Sequence, residues 1–136
     1  MSDRAGMFGG MPARTIVDGN NVMGSRPDGW WRDRAGATRR LVEQIADWAD
    51  GDVVVVFDGR APDGFPAPPR VEVRFAERGG RDAADDVIAA LVATDPDPAS
   101  LHVVTSDAEL ARRVREHGAD VSGARGFLDA LSRARS

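Results

Sequence analysis

Asp18-Gly19-Asn20-Asn21, Asp58-Gly59, Asp82-Ala83-Ala84-Asp85 and Ser106-Asp107 place short carboxylates where an apolar run stops or a helix opens. Gathered carboxylates repel one another unless a cation lies between them. The sequence has no cysteine and 2 histidines, so such a group selects a hard, oxygen-loving ion, Mg²⁺ or Mn²⁺, that keeps several waters and bridges to phosphate. The chemistry that follows is metal-assisted hydrolysis of a phosphodiester, in which the ion activates water and steadies the leaving oxygen. Asn20 and Asn21 set amide donors and acceptors beside Asp18, suited to orienting it or to binding a water or phosphate oxygen. On its own D-G-N-N reads equally as an Asx-turn capping a strand. The other acids favour a site.

Composition removes several rival chemistries. All 18 basic residues are arginine, and without lysine there is no Walker A phosphate loop, no Schiff base and no phospho-receiver lysine. Without cysteine there is no disulfide, thiolate site or cysteine nucleophile. The net charge of −4 argues against nonspecific nucleic-acid binding, but it hides a local pattern: 17 of the 22 acids are aspartate, several at element ends. The longest apolar runs, such as Val53 to Phe57, are too short for a membrane span, and no signal peptide is apparent, so a soluble cytoplasmic protein is expected.

The elements that must position these acids alternate. Residues 1–13 are Gly-rich and aperiodic and are expected to form a flexible tail, with Met1, Met7 and Met11 as candidate starts; residues 14–136 are expected to be one domain. Thr15 to Val17 form a β-branched strand ending at Asp18, where Gly19 permits a sharp turn. Met23 to Trp31 reads as a loop beside the site carrying Arg26, Trp30 and Trp31; at least one tryptophan is expected to pack on the domain while Arg26 faces a ligand. Leu41, Val42, Ile45 and Trp48 recur at helical spacing within 33–49, and Val53 to Phe57 is a strand buried on both faces that stops at Asp58. Asp58 is open between metal ligand, supporting partner and turn residue. Four of the 8 prolines lie in the loop 60–69, after which Val71, Val73 and Phe75 alternate with Glu72 and Arg74 as an edge strand. Further on, a helix opens at 82–86, a strand covers 101–105, a helix follows Asp107, a short strand covers 119–121, and a last helix turns Phe127, Leu128 and Leu131 inward. His102 and His117 are expected to be structural. Such alternation means an α/β fold with a mainly parallel sheet.

In that fold the strand carboxyl ends share one edge, so Asp18, Asp58 and Asp107 converge there with the amino end of the Asp85 helix. At 100° per residue Asp85 lies roughly 90° from the centre of the apolar stripe formed by Ala84, Val87, Ile88, Leu91 and Val92, whereas Asp86 points nearly the opposite way. Asp85 is therefore the favoured site acid. Asp82, one turn earlier, could join it or simply cap the helix.

In order and spacing, Asp18-Gly19-Asn20-Asn21-Val22, Val56-Phe57-Asp58-Gly59, Asp82-Ala83-Ala84-Asp85, Val104-Thr105-Ser106-Asp107 and Gly118-Ala119-Asp120-Val121 resemble the NYN-domain ribonucleases of the PIN-like superfamily, nearest the bacterial YacP-like branch. The resemblance covers about 14–132. It implies a three-layer α/β/α PIN-like fold and Mg²⁺- or Mn²⁺-dependent endonucleolytic cleavage of RNA; either a monomer or a homodimer is compatible with the sequence. Asp18, Asp85 and Asp107 match the family's metal-binding acids, Asn21 its orienting asparagine, and Asp58 the acid ending the second strand. Asp82 stands where glutamate is frequent. Lacking lysine, the chain would hold RNA through Arg26, Arg60, Arg78 and Arg81, with Asn20 and Ser106 as further substrate contacts. Two alternatives stay open: an RNA-binding or adaptor module with this fold and little activity, and a haloacid dehalogenase-type phosphatase, whose D-x-D is broken here by Asn20.

Overall fold

The computed structural model describes residues 14–62, 65, 68–77 and 82–135. The proposed tail and the candidate contacts Arg78 and Arg81 lie outside the described residues. Five strands, β1 (Arg14–Asp18), β2 (Asp52–Asp58), β3 (Val71–Ala76), β4 (Leu101–Val104) and β5 (Asp120–Ser122), form one sheet in the order β3-β2-β1-β4-β5. Every pairing is parallel. The helices are α1 (Gly19–Gly24), α2 (Arg34–Trp48), α3 (Ala83–Ala93), α4 (Ala108–Arg115) and α5 (Ala124–Arg135).

Strand periodicity builds two cores. Along β2, Val53, Val55 and Phe57 pack with the helices α1, α2 and α5, while Val54 and Val56 pack with α3 and α4. Val17 and Ile16 divide between the faces in the same way, as do Val104 and Val103. This is why β2 reads as an unbroken apolar run from Val53 to Phe57 and why β1 and β4 show no apolar–polar alternation: a strand covered on both sides has no polar face to show. β3 lies at an edge as its alternation predicts, with Glu72 and Arg74 exposed and paired at 2.5 Å. The three layers follow from connectivity. The chain moves from β1 to β2 in one direction across the sheet and from β3 through β4 to β5 in the other, so crossovers of one hand place their helices on opposite faces.

The structure corrects the segment after β1. The expected turn and loop are instead the short helix α1, begun directly at Gly19, and a 3-10 turn at Trp30–Arg32. Glycine and asparagine favour turns over helix in isolation, but Val22 and Met23 are 0% and 2% exposed, and their burial outweighs that preference. Gly19 is required for space rather than for a turn: a Cβ there would lie 2.5 Å from Cε1 of Phe57. Among the described residues no helix is long and apolar enough to cross a membrane.

Candidate active site

Parallel strands deliver all their carboxyl ends to one edge, and the order β3-β2-β1-β4-β5 puts the change of direction between β1 and β4. Open α/β sheets bind ligands in the crevice at such a point. Asp18 ends β1 there and is only 4% exposed. Its Oδ2 accepts a hydrogen bond from Thr105 Oγ1 at 2.8 Å across the crevice, and the Asn21 amide also donates to it. Thr105 Oγ1 in turn accepts from the Asp107 amide at 3.0 Å, so one hydroxyl ties the central acid to the loop after β4. No role was assigned to Thr105 from sequence. The available signal was its place, one residue beyond an apolar strand and two before an aspartate.

The neighbouring carboxamides brace the site instead of touching the Asp18 carboxylate. Asn20 Oδ1 accepts the Asp58 amide at 2.5 Å, and Asn21 Oδ1 accepts the Ser106 amide at 2.8 Å. Two adjacent residues of α1 thus hold the ends of the two strands that flank β1. Ser106 also spends its hydroxyl on structure, accepting the Ala124 amide at 2.8 Å at the start of α5.

The acids from the two sides are held by helix starts. Asp107 caps α4, its Oδ1 accepting the amides of Glu109 at 2.9 Å and Leu110 at 3.0 Å. The cap of α3 comes from another strand: Asp58 Oδ1 accepts the Ala84 amide at 2.9 Å, while Asp82, standing at the N-cap position, makes no side-chain cap bond. The capping role considered for Asp82 therefore belongs to Asp58. Asp85 is half-buried, whereas Asp86 is exposed and pairs with Arg113 at 3.1 Å. The helix face read from the sequence is the observed one.

These acids share one electrostatic field. Burial pushes Asp18 up to about 6 against the Thr105 and Asn21 hydrogen bonds, with the charges of Asp107 and Asp58 adding to the rise. Asp85 is pushed up to about 6 by its own burial first, then by Asp18, Asp107, Asp82 and Asp58. No arginine is paired with any of the five among the described residues. Among the described residues no group of three acidic or histidine side chains stands together as a metal-holding set. A hard ion that keeps its waters needs only one or two direct carboxylates, so an open group of unneutralised aspartates suits Mg²⁺ or Mn²⁺ better than a metal that demands an all-protein shell.

The arginines divide. Arg60 is exposed and lines a cavity of about 360 Å³ together with Asn20 and Asp58, at the margin of the acids. Arg26 instead donates to Gln44 of α2 and lines a different hollow with Leu128 and Ser132, which none of the site acids enters. His102 is buried and bonded through Nε2 to Ser122 Oγ at 2.8 Å, a structural role as expected.

The comparisons with known proteins agree with this architecture. Two crystal structures of Rae1 (YacP) from Bacillus subtilis, one of them a single-substitution mutant, superpose with a TM-score of 0.73 at 26% identity. The mutant match covers 90% of this chain and 76% of that one, the other match 89% and 74%. No curated protein matches the chain in sequence. The fold is thus the PIN-like α/β arrangement of YacP, and the kinship points to a ribonuclease. Residues 15–136 match the model of the YacP-like NYN domain, and the chain belongs to that family.

Proposed function

We propose that the protein is an endoribonuclease that hydrolyses RNA phosphodiester bonds with Mg²⁺ or Mn²⁺ held by Asp18, Asp85 and Asp107, with Asp58 and Asp82 at the rim. The observation that carries this reading is the buried Asp18 at the point where the sheet changes direction, with Asp58, Asp82, Asp85 and Asp107 at neighbouring strand ends and helix starts and none of the five paired with a described arginine. NYN and PIN-like nucleases are in general dependent on divalent metals. When bound, such an ion supplies an activated water and offsets charge on the phosphoryl oxygens.

The protein's own groups do the positioning. Thr105 and the Asn21 amide fix one buried carboxylate, Asp18, so that its free oxygen lone pairs keep one direction. Asp58 anchors the first turn of α3 to β2 and thereby sets where Asp85 stands. Asn20 and Asn21 hold the flanking strand ends at fixed separation. Arg60 beside the acids is placed to hold an RNA phosphate, and Arg26 contributes only to a more distant stretch.

Labelled single-stranded RNA incubated with the protein should be cut in Mn²⁺ and left intact in EDTA. Asp85→Asn should abolish cutting while remaining folded by circular dichroism, and Asp86→Asn, which loses one exposed pair, should keep most activity. Equal activities of the two variants would overturn the assignment of Asp85. Absence of EDTA-sensitive cutting by the unmodified protein would leave an RNA-binding module in place of the enzyme.

A further inference from the structure

The cavity beside the acids does not end at Arg60. Its lining includes Asn20, Arg34 and Arg60, backed by the half-buried Phe75, whose ring stacks at 5.5 Å on Phe57, itself 1% exposed. Apart from Asp58, one of whose oxygens already caps α3, these polar walls are donors. Asn20 has its oxygen engaged by the Asp58 amide, which leaves the NH₂ group without a partner among the described residues. Arg34 and Arg60 are exposed, and no carboxylate among the described residues pairs with either. A hollow rimmed by free hydrogen-bond donors fits a ligand rich in acceptors, as a nucleotide is in its phosphate and base edge.

From Arg34 the same chemistry continues outward. Its guanidinium lies 5.5 Å from the centre of the Trp30 ring; Trp30 meets Trp31 edge-on at 6.1 Å; and Arg32 lies 5.7 Å from the Trp31 ring. Trp30 is half-buried against the core and anchors the series, whereas Trp31 is 58% exposed. A lone exposed tryptophan needs no explanation. This one ends a continuous line of cation and ring that begins at the carboxylates, on a chain whose net charge is −4.

We propose that this line is a binding strip for single-stranded RNA: one nucleotide beside the cleavage point enters the cavity between Arg34 and Arg60, and the next bases stack outward over Trp30 and Trp31. The strip rests on the ribonuclease reading for its direction, but binding is separable from cutting. Stacking requires unpaired bases, so the strip selects single strands over duplex.

The test is fluorescence anisotropy of a short labelled single-stranded RNA in EDTA at low salt, so that nothing is cut. Trp31→Ala should bind about tenfold more weakly, with Trp31→Phe retaining most of the affinity because a ring is kept. Arg60→Ala should also weaken binding and lower its salt dependence. Arg115→Ala, which removes the same charge on α4 across the sheet, should bind as the unmodified protein does. Unchanged affinity in Trp31→Ala and Arg60→Ala, equal affinity for duplex, or no binding by the unmodified protein would each overturn the strip. Weakened binding by these variants together with no cutting in Mn²⁺ would uphold the strip and sink the enzyme.

Discussion

Asp18 keeps its proton to a higher pH in the folded chain than a free aspartate does, because it is buried and faces other carboxylates. Its ordinary value is 3.8 and its folded value about 6, so between these the native state holds a proton that the unfolded chain has released. The stability this confers is complete below the unfolded value and is lost as pH rises through about 6. Asp85 acts in the same sense, and His102, whose burial lowers its value, acts in the opposite one. The contribution of Asp18 is therefore isolated by comparison: in EDTA, raising the pH from about 5 to about 7.5 should cost the unmodified protein on the order of 1–3 kcal/mol more than it costs Asp18→Asn. Equal pH dependence in the two proteins, measured in urea at both pH values, would show that Asp18 does not hold its proton to higher pH in the folded chain.

At the scale of the element, α1 is the piece that arranges the rest. It begins without a turn because Gly19 lets the backbone approach the Phe57 ring, and that ring is 1% exposed and stacked on Phe75, with no room to swing aside. Gly19→Ala should cost about 1–3 kcal/mol in urea unfolding and displace Asp18 enough to lower cutting; wild-type stability in this variant would show that β2 yields easily. The same helix marks how far sequence could be read. The four element ends bearing acids were legible, since apolar period and glycine punctuation are local signals, and so was the face of α3 that turns Asp85 inward and Asp86 out. The helicity of α1 was not, because it depends on packing against residues of β2 and α2. Nor were the tasks of Asn20 and Asn21: their partners, the amides of Asp58 and Ser106, lie 38 and 85 residues away. The cap that Asp58 provides for α3 crosses 26 residues and was equally hidden.

For the whole molecule, alternation of strand and helix predicted a parallel sheet, but the order β3-β2-β1-β4-β5, which puts Asp18 at the change of direction, comes from the pairing alone. That order brings acids from both sides of the sheet to one crevice and leaves them mutually repulsive. An ion that binds only the folded chain should therefore raise its melting temperature by on the order of a few degrees at millimolar Mg²⁺ or Mn²⁺, and by less in Asp18→Asn. An unchanged melting curve would mean that the folded acids take no ion. The braces at this crevice also have a use outside catalysis. Four of the side chains around it accept a hydrogen bond from a backbone amide of another residue: Asn20 from Asp58, Asn21 from Ser106, Asp58 from Ala84, and Asp107 from Leu110. In a proton–nitrogen correlation spectrum those four amides act as sentinels: loading, protonation or loosening of one strand end is broadcast as a resonance shift, or as faster deuterium uptake, on a neighbouring one.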